Sequence, residues 1–275
     1  MSSVFKRRAN SVLSIAKLKQ QGNKISMITC YDYSFAKIVN QCPLDMVLVG
    51  DSLGNTMLGH RNTTAVTMDD MVLHTRSVSR ALTKPLLCAD LPFMSYQVSS
   101  SQALENAGRL ISEGGAQAVK LEGASQSLCH TIEALVETGI PVMGHIGLTP
   151  QKINTIGGYS VQGKTQEERK KILNNAICLE KAGVFAIVLE LIPQDLAAEI
   201  TSALSVPTIG IGAGPACDGQ VLVLHDLLGM DSTFSPKYLK KYANLEKIVG
   251  DAMKHYVSDV KEGVFPSIDH CFFGE

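Results

Sequence analysis

Tryptophan is absent from this chain, and aromatic residues make up only 5% of it. Stacking platforms for single-stranded nucleic acid depend on such rings, so that function class is disfavoured. Charge of one sign is missing too: 25 Lys and Arg against 26 Asp and Glu leave a net charge of −1. Nucleic-acid binding surfaces leave a basic footprint, and there is none here. No apolar run approaches the roughly 20 residues that span a bilayer. The seven cysteines, at 30, 42, 88, 129, 178, 217 and 271, contain no CxxC pair. Thiolate zinc sites need close ligand pairs, which argues against one. An odd, unpatterned set reads instead as reduced packing residues of a cytoplasmic protein. The polar, basic N-terminus also lacks the apolar core of a signal peptide. With no linker and no low-complexity tract, residues 1–275 are expected to form one domain.

What is present is apolar: 45% hydrophobic residues with 19% charged, enough to bury a large core. Eight short runs read as strands: 25–29, 46–49, 86–89, 118–121, 142–145, 186–189, 208–211 and 221–224. They are apolar without alternation, the mark of a parallel sheet covered on both faces. Helical periodicity falls between them. The segment 68–82 follows Thr67, with Asp70 placed for a capping box. The segments 101–113, 127–137 and 167–182 stop at Gly114, Gly139 and Gly183, and 194–204 stops short of Pro207. Repeated helix–Gly–strand units of this kind predict a (β/α)8 TIM barrel. A doubly wound open sheet is the alternative, but no Gly-rich dinucleotide turn follows the first strand.

Three additions to a minimal barrel are expected. Residues 1–20 form a basic amphipathic stretch, read as an extra N-terminal helix closing the bottom of the barrel, with membrane or nucleic-acid attachment as the alternative. The segment 147–165, with Gly157, Gly158, Gly163 and Tyr159, reads as a lid. After Ser232 comes a C-terminal helical tail with Phe265-Pro266 and Phe272-Phe273, which covers either an oligomer interface or the barrel.

Four of the apolar runs end in a carboxylate: Asp51, Asp90, Glu122 and Glu190. Carboxyl ends of barrel strands form the catalytic mouth, and converging anions require a cation or a proton. Asp51 and Asp90 close neighbouring strands and are candidate ligands for Mg²⁺, with Glu122 as a third, directly or through water. Any one of them alone could instead be a helix cap or an ion-pair partner. Lys120 lies two residues before Glu122, so both point to one side of the strand. It is either a charge partner for Glu122 or a substrate carboxylate, or a Schiff-base lysine. Glu190 is better placed as a base than as a ligand. His145 reads equally as a supporting hydrogen-bond partner or a satisfied core residue. The stretch 210–214, Gly-Ile-Gly-Ala-Gly, reads equally as a phosphate turn or as tight packing.

These segments resemble the ketopantoate hydroxymethyltransferase family over about residues 10–270. The resemblance is carried by VGDSLG (49–54), VTMDDMVLHT (66–75), ADLPFMSY (89–96), AVKLEG (118–123), PVMGHIGLTPQ (141–151), GGYSVQG (157–163), FAIVLE (185–190) and TIGIGAGPACDGQVLVLHD (208–226). It implies a metal-dependent barrel that moves a one-carbon unit from methylenetetrahydrofolate onto 3-methyl-2-oxobutanoate. Carried across, Asp51 and Asp90 match Mg²⁺ ligands that also meet the substrate, and Glu122 the third acid of the metal site. Ser52 and Lys120 match positions that hold the keto acid, and Glu190 the proton acceptor. Members are large homo-oligomers, typically decamers. A Mg²⁺-dependent lyase or mutase of the phosphoenolpyruvate-mutase and isocitrate-lyase type is the alternative enzyme, but it typically carries a Cys in the loop after the third strand, which here reads Leu91-Pro-Phe-Met-Ser-Tyr96. A non-catalytic barrel acting as scaffold or sensor would leave Lys120 and Glu190 dispensable.

Overall fold

The computed structural model describes residues 9–274. Val4, Phe5, Lys6, Arg7 and Arg8 of the expected amphipathic stretch lie outside the described residues. The chain divides into two compact units, 1–223 and 224–275.

The first unit is a closed barrel of eight parallel strands in sequence order: β1 (Ile25–Thr29), β2 (Met46–Val49), β3 (Leu86–Asp90), β4 (Ala118–Glu122), β5 (Val142–Gly147), β6 (Ala186–Glu190), β7 (Thr208–Ile211) and β8 (Gly219–Leu222). Pairing of β1 with β8 closes it. The (β/α)8 expectation is met. Four strands run further than their apolar runs and take in Asp90, Glu122, Gly147 and Glu190. The eighth begins earlier than expected. Polar Gln220 is exposed, so hydropathy starts the strand too late, and the apolar end of that run is already helical at Leu224.

Side chains alternate inward and outward along each strand. Ile25 and Met27, Met46 and Leu48, Leu86 and Cys88, Ala118, Met143, Ala186 and Val188, Ile209 and Val221 form one buried cluster. Each large side chain of this kind contributes roughly 1.5–3 kcal/mol by leaving water. Ile15 belongs to the same cluster, and Val12 and Leu18 pack against it. They lie on α1 (Val12–Gln20), whose N-cap Ser11 accepts from the Ser14 amide. Lys19 on this helix donates to the carbonyls of Thr201 and Val206, both at 3.0 Å, and pairs with Asp218 at 2.9 Å. These partners precede β7 and β8, so α1 closes the amino-terminal end of the barrel, as expected for residues 12–20.

The outer layer comprises α2 (Tyr33–Val39), α3 (Leu53–Thr56), α4 (Met68–Ser79), α5 (Ser100–Ser112), α6 (Gln126–Glu137), α7 (Ile153–Ile156), α8 (Gln166–Lys181) and α9 (Gln194–Ala203). The capping box of Thr67 and Asp70 opens α4 as read from sequence, and a second one, from Thr165 and Glu168, opens α8. The segment 147–165 is not bare loop. A 3-10 turn (Pro150–Lys152) and α7 occupy its first half.

The second unit holds α10 (Leu224–Leu228) and α11 (Leu245–Lys261). Asn244 caps α11 by accepting from the Lys247 amide. Phe265 packs on Tyr256 and His270, with ring centroids 5.8 and 5.0 Å apart. Among the described residues no helix is long and apolar enough to cross a membrane.

Candidate active site

The alternation that fills the lower barrel with apolar groups continues at the carboxyl end with ionisable ones. Asp90 is in phase with Leu86 and Cys88; Lys120 and Glu122 with Ala118; His145 with Met143; Glu190 with Ala186 and Val188. Strand register pairs Asp90 with Lys120, Glu122 with His145, and Gly147 with Glu190. Asp51 is out of phase with β2 and reaches the cluster through the turn that follows it. Its amide donates to Asp90 Oδ2 at 3.0 Å. Gly50 permits that turn: a Cβ there would sit 3.0 Å from Ser52 Oγ and 3.4 Å from Asp90 Oδ2.

Asp51, Asp90, Lys120, Glu122 and His145 are all buried. Lys120 Nζ pairs with Asp90 Oδ1 at 3.0 Å and lies 3.9 Å from Glu122 Oε1. Burial opposes its charge, but Asp90, Glu122 and Asp51 together outweigh this and hold it as a strongly stabilised ammonium. Burial, with repulsion from Asp90 and Glu122, pushes the Asp51 carboxyl well above the usual range. Asp90 is also raised by burial, although Lys120 and the Asp51 amide oppose this. Glu122 is lowered: burial is outweighed by His145, Lys120 and the Gln151 amide.

His145 bridges two carboxylates. Nδ1 is 3.3 Å from Glu122 Oε1 and Nε2 is 3.2 Å from Glu190 Oε2, the second contact too oblique for a good hydrogen bond. Burial and the Lys120 charge oppose protonation, but Glu122 and Glu190 raise the imidazole to about 9. The raised imidazole favours its cationic form at neutral pH, donating from Nδ1 toward Glu122 and facing Glu190 only as a charge; Nδ1 also lies 3.3 Å from Lys120 Nζ. A base raised on folding contributes stability that is complete below its ordinary 6.5 and lost as pH rises through about 9. Each unit of such a shift corresponds to about 1.4 kcal/mol. In metal-free buffer the unfolding temperature is therefore expected to fall between pH 7 and 10. Calorimetry of His145→Gln should show that segment flattened; an unchanged slope would remove His145 as its source.

Gly147 lets β5 and β6 converge here. Its φ is 94°, and a Cβ would meet the Glu190 carbonyl oxygen at 2.2 Å. Ser52 Oγ is 2.8 Å from the hydroxyl of buried Tyr31. Tyr159 is 60% exposed, and partial desolvation with the charges of Glu190, Asp51 and Glu122 raises its phenol. In the 210–214 stretch, a Cβ at Gly210 would meet Cys217 Sγ at 3.0 Å and one at Gly214 would meet Gln194 Cβ at 2.5 Å. Close packing accounts for both glycines.

Sequence reasoning passed over Tyr31, Tyr96 and Gln151. Gln151 Nε2 donates to Asp51 Oδ2 and to the Leu91 carbonyl, both at 2.9 Å, and its amide donates to Glu122 Oε2 at 3.0 Å. Tyr96 donates its hydroxyl proton to Gln151 Oε1 at 2.7 Å. All three follow strands within loops, where no periodicity marks a residue as buried.

Among the described residues no three His, Cys, Asp or Glu side chains form a group able to hold a metal ion alone. The donors nevertheless fit a hard divalent cation of the Mg²⁺ kind, which takes one or two carboxylates and completes its shell with water and substrate oxygens. Asp51 Oδ2 is engaged by Gln151, whereas Asp90 Oδ1, 3.0 Å from Lys120 Nζ, is a buried oxygen without a well-aligned hydrogen bond.

A closed parallel barrel with converging carboxylates, a lysine and a histidine at the carboxyl ends of its strands defines a (β/α)8-barrel enzyme. Solved structures share the fold. The crystal structure of phosphonopyruvate hydrolase complexed with oxalate and Mg²⁺ aligns with a TM-score of 0.62 at 12% identity, covering 94% of this chain and 93% of that one. Phosphoenolpyruvate phosphomutase from Streptomyces platensis subsp. rosaceus gives 0.63 at 13%, covering 96% and 92%. At such identity the likeness is one of fold alone. Sequence goes further, since the ketopantoate hydroxymethyltransferase family pattern matches residues 9–268. The 3-methyl-2-oxobutanoate hydroxymethyltransferase of Geobacter sulfurreducens is 53% identical over 265 residues, 96% of this chain and 99% of that one. The enzyme of the same name from Thermoanaerobacter sp. (strain X514) is 53% identical over 262 residues, 95% of each. The chain belongs to the ketopantoate hydroxymethyltransferase family.

Proposed function

We propose that this enzyme transfers a hydroxymethyl group from methylenetetrahydrofolate to 3-methyl-2-oxobutanoate, giving 2-dehydropantoate (ketopantoate) for pantothenate and coenzyme A synthesis. The observation that carries the reading is the buried Asp51, Asp90 and Lys120 cluster with Glu190 beside it at the barrel mouth. Asp51 and Asp90 would hold Mg²⁺, with Glu122 as the third acid of that site. When bound, the cation would supply Lewis-acid polarisation of the keto group, which acidifies the neighbouring C–H.

The remaining work falls to the side chains. Glu190 takes the proton from C3, and its carboxylate faces the positive charge of His145, 3.2 Å away. Lys120, fixed as an ammonium, balances the substrate carboxylate and the charge that develops on the keto oxygen. Ser52, anchored by Tyr31, orients the keto acid. Water cleaves the two methylene C–N bonds of the folate, its protons passing to N5 and N10 as tetrahydrofolate leaves; C3 then bonds to the released one-carbon aldehyde, whose oxygen takes the proton back from Glu190 and becomes the hydroxyl. Tyr159, on the segment between Gly158 and Gly163, would close over the substrates.

The same reading extends to assembly and location. We propose a cytoplasmic homodecamer, supported by seven free cysteines and by Ile248, Met253, Tyr256 and Val257, exposed apolar residues of α11.

Purified protein incubated with both substrates should form ketopantoate by mass spectrometry with Mg²⁺ present and none with chelator. A folded, Mg²⁺-binding protein that makes no product would overturn the reaction. Product that is unaffected by chelation would overturn the role given to the carboxylates.

A further inference from the structure

Gln151 is almost fully buried, 4% exposed, in the 3-10 turn that follows β5. It is not ionisable and has no part in the chemistry above, yet it touches two of the acids assigned to the cation site. Its hydrogen bonds admit one orientation of the amide. The Leu91 carbonyl can only accept, so the group 2.9 Å from it and from Asp51 Oδ2 must be the –NH₂. Flipping the amide would set three oxygens against one another in a buried site.

Oε1 is held from the other side. The Tyr96 hydroxyl donates to it at 2.7 Å and Gln97 Nε2 at 3.3 Å. That hydroxyl in turn accepts from the Glu122 amide at 3.1 Å. Gln151's own amide meanwhile donates to Glu122 Oε2 at 3.0 Å. A closed circuit therefore runs from the Glu122 backbone through Tyr96 and Gln151 to the Asp51 carboxylate, and returns from the Gln151 backbone to the Glu122 carboxylate.

Resting on the cation site proposed above, we infer that Gln151 is its positioning residue, fixing the Asp51 and Glu122 carboxylates in relation to each other, with Tyr96 locking the amide. Hydrogen bonds that orient ligating carboxylates typically affect metal affinity by about 10–100-fold. Gln151→Met keeps the side-chain length and removes both polar atoms. It is expected to weaken Mg²⁺ binding, measured by titration calorimetry on the full chain without substrates, by about 10–100-fold. The keto-acid KM at fixed subsaturating Mg²⁺ should rise in parallel. At saturating Mg²⁺, kcat should stay within about threefold, because the base and Lys120 are untouched.

Tyr96→Phe removes one hydroxyl and should weaken Mg²⁺ by about two- to tenfold, the equivalent of one hydrogen bond. If the two residues act through one circuit, the double variant should bind little worse than Gln151→Met alone. Wild-type Mg²⁺ affinity in Gln151→Met, or full additivity with Tyr96→Phe, would overturn the inference. A lowered unfolding temperature with unchanged affinity would do so as well, by assigning Gln151 to packing. Should Gln151→Met fail to fold, Tyr96→Phe decides: unchanged affinity there is equally fatal. Cation titration needs no turnover, so a wild-type protein that binds Mg²⁺ but makes no ketopantoate would sink the reaction and leave this inference standing.

Discussion

Glu190→Gln is expected to lower turnover by about 10²–10⁴-fold, the range lost with a positioned general base, while keto-acid binding changes by no more than about threefold. The amide has nearly the shape of the carboxylate and can occupy the same place beside His145 Nε2, now 3.2 Å from Glu190 Oε2. What disappears is the capacity to take a proton. Turnover alone would not isolate that step, because a displaced folate would also slow the reaction. Proton exchange at C3 does isolate it. Wild-type enzyme with Mg²⁺, keto acid and D₂O, but no folate, should wash the C3 proton signal out of the NMR spectrum. The variant should leave it intact. Exchange at the wild-type rate in Glu190→Gln would eliminate this residue as the base and direct attention to another acceptor at the mouth.

Glu190 could be singled out from sequence because strand physics places it. An apolar run buried on both faces must keep alternating, so a carboxylate in phase with inward Ala186 and Val188 points into the barrel. The same reasoning locates Asp90, Lys120 and Glu122. Asp51 was legible by residue type but not by geometry: it lies out of phase with β2, and only the turn after Gly50 brings its amide to Asp90. His145 supports two readings from sequence, because an inward histidine has no visible partner until β4 and β6 are set beside it. Gln151 was not legible at all. Its contact with Asp51 spans 100 positions, and a polar residue after Thr-Pro in a loop looks like any solvated one. The eighth strand slipped for a related reason, since hydropathy cannot tell an outward Gln220 in a strand from a loop residue. Periodicity reports which face a residue occupies, whereas contacts between loops depend on closure of the whole barrel.

Lys120 separates two chemistries that the sequence left open. A Schiff base requires a neutral amine, usually obtained by desolvation or a neighbouring cation. Here Asp90 at 3.0 Å and Glu122 at 3.9 Å surround the buried amine with negative charge, so it is held as ammonium, and proton loss on the way to an imine is strongly opposed. Borohydride reduction in the presence of 3-methyl-2-oxobutanoate is therefore expected to leave the intact mass of the chain unchanged; a reduced adduct on Lys120 would overturn the charge-pairing role. Lys120→Met tests the same assignment from the other side. It leaves Asp90 buried without its cation, a loss of about 3–5 kcal/mol where one partner of a buried pair is removed, part of which protonation of the raised Asp90 carboxyl will offset. Turnover should fall by about 10²–10³-fold even with saturating Mg²⁺, the scale for losing one preorganised group that stabilises developing negative charge. Because Mg²⁺ would relieve the same repulsion that Lys120 relieves, the metal should raise the unfolding temperature of Lys120→Met more than that of the wild type. An equal rise in both would mean that cation and lysine do not share these carboxylates.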